Sequence, residues 1–204
     1  GNVHKGFKRR SVMTKTEIDL GKIENEIKKD SFLNSKGLGN EVSYYIFDYS
    51  PRDELIVRQY LENIKKRDKE IGDGYKIVIY DVYDIMIDLL EESEFLENCI
   101  DMEKNDGMDY LIESVNSLLK MNEDDNYFAK YIEENTPEKS IVFLVGIGKI
   151  FPFVRSHKIL NNLHQVFDRA PVVMFYPGKY DGQSLQLFEE FKDDNYYRAF
   201  KLLK

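Results

Sequence analysis

The 204-residue chain is 42% apolar and 13% aromatic and carries a net charge of −8, which fits one folded α/β-sized domain and excludes a disordered polyelectrolyte. Its single cysteine, Cys99, rules out an internal disulfide framework and a cysteine-built zinc cluster. No apolar run approaches the roughly 20 residues of a spanning helix, so the reading is a cytoplasmic protein with no membrane partner.

Residues 1–15 read as a basic tail (Lys5, Lys8, Arg9, Arg10, Lys15) or an expression scar, since Gly1 stands where Met would begin, and no apolar run follows to make a signal peptide. From 16 to 204 the pattern is that of a single α/β domain. Ile18, Ile23 and Ile27 have helical spacing between Thr16 and Ser31, and Gly37 to Asn40 breaks the chain. Residues Val42 to Phe47 are dense in β-branched and aromatic side chains and predict a buried strand. Ser50 and Pro51 then open a helix with Leu55, Ile56, Tyr60, Leu61 and Ile64 on its apolar stripe. Gly72 to Gly74 close it, and Tyr75 to Tyr80 predict a second strand. The pair is expected as a parallel βαβ unit.

Residues 81–138 hold 18 acidic residues against three lysines, a charge of −15, and their apolar spacing is helical throughout. They are expected as an acidic helical insertion or long crossover. Ile141 to Val145 give the clearest strand, followed by a helix from about His157 to Phe167 with Ser156 as N-cap. Val172 to Tyr176 predict a fourth strand, Leu185 to Phe191 a short helix and Tyr197 to Leu203 a last strand. Alternation of this kind predicts an α/β fold with a mostly parallel sheet and helices on both faces. The layout is that of a RecA/AAA-like core lacking a phosphate loop.

Catalytic motifs are missing where such a fold would carry them. No P-loop is present, and the loops Asp48 to Pro51 and Asp81 to Asp84 contain no glycine. Gly146-Ile147-Gly148-Lys149 follows a strand, but Phe151 replaces the third glycine of a dinucleotide loop, and Pro152 intervenes where the helix should start. His157 and His164 share a helix face without a third ligand, so no metal and no cofactor are expected. Glu97 and Asp101 flank Cys99 and oppose thiolate formation.

Polar residues gather in two loops that leave the C-terminal ends of strands, the edge where open α/β sheets bind ligands. One holds Gly146, Gly148, Lys149, Arg155 and His157; the other holds Lys179, Tyr180, Asp181 and Gln183. These nine residues are the candidate ligand or partner site, with Arg155 offering a fork for an anion and Tyr180 an exposed contact ring. The competing reading makes Pro177-Gly178 and Asp181-Gly182 turns, and Ser156 and Ser184 helix caps.

Several segments, taken in order, carry a family likeness. They include Lys36-Gly37-Leu38-Gly39-Asn40-Glu41, Tyr45-Ile46-Phe47-Asp48-Tyr49, Phe143-Leu144-Val145-Gly146-Ile147-Gly148, Arg155-Ser156-His157 with Leu160-Asn161-Asn162-Leu163, Phe175-Tyr176-Pro177-Gly178 and Asn195-Tyr196-Tyr197-Arg198-Ala199-Phe200. From about Ser31 onward the chain resembles the BrxB family of BREX (bacteriophage exclusion) defence islands. The resemblance implies membership of a multi-gene system containing a large ATPase, a site-specific DNA methyltransferase and an alkaline-phosphatase-like protein, and it implies no catalytic residue. The expected role is a non-enzymatic protein-interaction component whose partners are other proteins of the system, the alkaline-phosphatase-like one among them. The alternative is a degenerate nucleotide- or nucleic-acid-binding module without hydrolysis, with nucleic acid disfavoured by a pI near 5.1.

Overall fold

Thr14 starts the first helix of the computed structural model, which describes residues 12–34, 44–67, 70–71, 74–196 and 198–204. Its hydroxyl accepts from the Glu17 N–H at 3.2 Å, and α1 (Lys15–Ile27) buries Leu20, Ile23 and Ile27 along one stripe. The helix ends at Ile27 rather than Ser31, and one further turn follows as α2 (Asp30–Leu33). The glycine break at 37–40 and the predicted strand start at 42–43 lie outside the described residues. β1 spans Tyr44–Tyr49. Pro51 then begins a 3₁₀ turn (Pro51–Asp53), although the Ser50 side chain makes no capping bond, and α3 (Glu54–Arg67) continues from it. Lys65, Lys66 and Arg67 occupy the last turn of α3, where the helix dipole favours cations.

A two-residue strand, β2 (Glu70–Ile71), turns back antiparallel onto β3 (Tyr75–Asp81). The acidic stretch is helical as expected: α4 (Val82–Glu92), α5 (Leu96–Asp106), α6 (Met108–Leu118) and α7 (Tyr127–Asn135), with no strand between β3 and β4 (Ser140–Val145). After β4 come α8 (Ile147–Ile150), α9 (Ser156–Val166) and β5 (Val172–Tyr180). The chain finishes with β6 (Ser184–Leu187), β7 (Phe191–Asn195) and β8 (Ala199–Lys201).

The sheet order is β2-β3-β4-β5-β1-β8, and every pairing in it is parallel except β2 with β3. The four predicted strands are therefore parallel and contiguous. The first two are not neighbours, however, because β4 and β5 lie between β1 and β3. The length of α3 permits this. Its 14 residues span roughly 21 Å, and stepping over two strands needs only about 14 Å.

Alternation along the central strands divides the core in two. Phe47, Tyr49, Phe143, Val145, Val173 and Phe175 face α1 and α3. Tyr44, Ile46, Val142, Leu144, Met174 and Tyr176 face the layer that includes α4, α6, α7 and α9. All six residues of β4 are buried, as expected of a strand covered on both faces.

The structure corrects the reading beyond β5. The strand does not stop at Tyr176 but runs through Pro177, Gly178 and Lys179 to Tyr180, where β6 and then β7 pair antiparallel to form a meander. The predicted helix over 185–191 is thus two strands joined by a turn with positive φ at Phe188 (53°) and Glu189 (62°). Its apolar residues satisfy both periods, and the free edge of the prolonged β5 selects the strand. Gly178 makes the pairing possible, because a Cβ there would lie 2.1 Å from the Gln186 carbonyl oxygen. The last strand is shorter than predicted, Ala199 to Lys201, and Tyr197 lies outside the described residues.

Candidate site at the C-terminal edge of the sheet

Asp81 ends β3 and caps α4. Its Oδ1 accepts from the N–H groups of Tyr83 (3.0 Å) and Asp84 (3.3 Å), satisfying donors that the first helical turn leaves open. The same carboxylate takes the ammonium of Lys149, which also lies 5.6 Å above the Tyr83 ring and 3.9 Å from Asp84. Gly146, at the end of β4, has φ 82° and must be glycine twice over, since a Cβ would meet Asp81 Oδ1 at 2.2 Å. Two strand ends and Lys149 are thereby tied into one polar knot. A one-turn helix, α8, does follow Gly146, and Phe151-Pro152 then leaves it through a cis peptide.

The loop that follows is held on both sides. Asn116 on α6 donates from Nδ2 to the Phe153 carbonyl at 2.6 Å and to Ile112 O at 2.8 Å. Arg155 donates from its guanidinium to Lys192 O of β7 at 3.2 Å. It is Arg155, not Ser156, that occupies the N-cap of α9; Ser156 is the first helical residue and is buried. Ser184 likewise caps no helix and belongs to β6. His157 is half-buried in the first turn of α9. Asn162 satisfies the backbone, donating to Met121 O at 3.1 Å.

The meander lies over this loop. Phe188 stands where a Cβ on Gly148 would approach its ring at 3.0 Å, and Phe151 packs edge-on against Phe188 and tilted against Phe191. Tyr180 points the other way. It is 1% exposed, and its hydroxyl lies between the carbonyls of Tyr196 (2.9 Å) and Ala199 (2.8 Å), which share its one proton, while its N–H donates to Asp48 Oδ2 at 3.0 Å. Burial pushes its phenol up to about 12. Tyr180 is therefore a structural anchor rather than an exposed contact ring. Asp181 closes the β5–β6 turn by accepting from the N–H groups of Gln183 (2.9 Å) and Ser184 (2.7 Å), and these bonds hold its carboxyl below the usual range.

Of the nine candidate residues, the structure gathers Gly146 and Lys149 at Asp81, sets Gly148 under Phe188 and docks Arg155 on the meander. Lys179, Asp181 and Gln183 are exposed on the β5–β6 hairpin, with Lys179 3.9 Å from Glu189. Asp81 and Asp48 were missed. Asp81 carried a readable signal, an Asp immediately before a helical apolar run; Asp48 did not, because its partner Tyr180 lies 132 residues away. Among the described residues no three His, Cys, Asp or Glu converge as a metal site, and no helix is long and apolar enough to cross a membrane. Burial pushes the Cys99 thiol up.

Fold and site together define a mixed α/β protein with a mostly parallel sheet, whose C-terminal edge is closed by its own antiparallel meander. No solved structure matches the chain. The profile of the family described as "BREX protein BrxB" matches residues 78–202. A "BREX protein BrxB" of Bacillus cereus (strain H3081.97) is 44% identical over 184 residues, covering 90% of this chain and 95% of that protein. One of Escherichia coli O9:H4 (strain HS) is 32% identical over 187 residues, covering 92% and 91%. The chain belongs to the BrxB family.

Proposed function

We propose that this protein is a non-enzymatic, cytoplasmic protein-interaction component of a BREX phage-defence system, built on a RecA/AAA-type core without a phosphate loop. The observation that carries the reading is the closed edge. Where α/β enzymes hold substrate, Lys149 is committed to Asp81, Gly148 is covered by Phe188 and Tyr180 is buried. The remaining exposed polar groups, Lys179, Asp181 and Gln183, present a rim for a partner rather than a pocket for chemistry. Partners are other proteins of the system, the alkaline-phosphatase-like component among them. The core assignment is supported by the parallel strands, whose spatial order is second, third, fourth, first, fifth, as in AAA-type cores.

The test is turnover by the purified chain. ATPase, phosphatase and nuclease assays with Mg²⁺ are expected to show no activity above a blank, because no described group positions the ion against a phosphate. Mg²⁺-dependent ATP turnover abolished by Lys149→Ala would overturn the reading. A second reading, a sensor of a phosphate-bearing ligand, has one place to act: a cleft of about 910 Å³ beside β1 and β8 where Lys15, Lys22, Lys29, Lys201 and Lys204 share the lining with Asp19, Glu26 and Asp48, which pair with the first four of these lysines. Calorimetric binding of ATP or ADP that Lys201→Glu abolishes would support it.

A further inference from the structure

Three large apolar side chains of α5 and α6 stand outside both halves of the core: Ile100 is 55% exposed, Met108 41% and Tyr110 50%. Ile112 is half-buried and joins neither half. Met108 and Ile112, four residues apart, lie one above the other on α6. An advance of about 100° per residue sets Asp109 and Glu113 beside them, with Tyr110 on the far side of that acidic pair. The outer face of α6 is thus a carboxylate stripe between two apolar borders.

The fold supplies no counterpart for this charge. From Asp88 to Glu113 the chain carries ten carboxylates and one cation, Lys104. All are exposed, and no ion pair joins any of them to a described residue. Glu103 and Asp106 occupy the last turn of α5, as Glu91 and Glu92 do that of α4, where the helix dipole opposes carboxylates. Only Glu97 and Asp109, in first turns, gain from a dipole. Glu97 with Asp101, and Asp109 with Glu113, stand at i,i+4, the spacing at which like charges repel along a helix. Solvation accounts for exposed charge, but not for Met and Tyr, side chains enriched at protein interfaces, on either side of it. Nucleic acid and anionic lipid are repelled by such a face, and a second copy meeting it face to face would set carboxylate against carboxylate. A protein surface of Lys and Arg around apolar side chains is complementary in both respects.

We infer that the α5–α6 face docks a partner protein through a surface rich in Lys and Arg with apolar side chains among them. This rests on the interaction reading above and adds a surface to the hairpin rim. The test titrates the full chain with each of the other proteins of the defence system, purified singly, by biolayer interferometry. One of them should bind, and raising NaCl from about 50 to 400 mM should slow its association about tenfold or more while changing dissociation little. Asp101→Asn/Glu103→Gln/Glu113→Gln should slow association about tenfold at the lower salt, yet raise the melting temperature by about 2–4 °C, because the repulsion it removes is intramolecular. Met108→Ser/Tyr110→Ser should instead speed dissociation about tenfold, with the melting temperature within about 2 °C of wild type. A merely solvated face gives the same gain in melting temperature and leaves binding unchanged. That result overturns the inference, as does association insensitive to salt. Dimerisation at low salt that the triple variant abolishes would also overturn it, by seating a second copy on this face. A partner bound equally well by all variants sinks this inference and spares the interaction reading. Binding by none of the system's proteins sinks both.

Discussion

Tyr180→Phe isolates one hydroxyl at the point where the meander joins the sheet. That hydroxyl serves two buried carbonyls, Tyr196 O at 2.9 Å and Ala199 O at 2.8 Å. With a phenyl ring in its place, the shape is kept and the two carbonyls lose the one proton they share in a site 1% exposed. A buried carbonyl left unsatisfied costs about 1–3 kcal/mol, so the substitution should destabilise the protein by that amount. Tyr180→Ala adds a cavity and should cost about 3–5 kcal/mol. In urea titrations followed by far-ultraviolet circular dichroism, the Phe variant should lower the midpoint by about 0.5–1 M with an unchanged slope. The Ala variant should lower it much further, and any phage protection it loses should track its unfolding. Midpoints equal to wild type for both variants would refute the assignment of Tyr180 as an anchor and return it to the surface.

Three further outcomes follow from the same geometry. Gly178→Ala, whose Cβ would lie 2.1 Å from Gln186 O, should cost about 1–3 kcal/mol and expose the meander to limited proteolysis before the rest of the chain. Asp81→Ala should cost about 1 kcal/mol through the lost α4 cap, whereas Lys149→Ala should cost less, because that pair is partly solvated; thermal melting of the two variants separates them. The Asp181 carboxyl is held below its unfolded value, so its support of the β5–β6 turn is complete above the unfolded pKa and is lost as pH falls through the lower folded one. Amide shifts of Gln183 and Ser184 should report that loss in acid, and Asp181→Asn should remove it.

Much of the frame was legible in the sequence. Ile141 to Val145 and Val172 to Tyr176 are continuous apolar runs of strand length, and both lie centrally in the sheet. The acidic residues 81–138 kept helical spacing without a break, and four helices formed there. What failed was long-range or degenerate. Leu185, Leu187, Phe188 and Phe191 suit a helix as well as a strand–turn–strand, and only the prolonged edge of β5, unseen in local pattern, decides between them. Strand order depends on how far α3 reaches, which no period encodes. The fate of Tyr180 was hidden for a similar reason: beside Lys179 and Asp181 it looks like a loop residue, and its acceptors lie 16 and 19 residues on. Lys149 looked free because Asp81 is 68 residues away.

The most direct test of the interaction role is affinity purification of the tagged, full-length protein from a host carrying the complete defence system, with and without nuclease, followed by quantitative mass spectrometry. The account predicts at least one other protein of the system recovered in near-stoichiometric amount, unchanged by nuclease. Recovery of the chain alone, or of partners that nuclease removes, would contradict it.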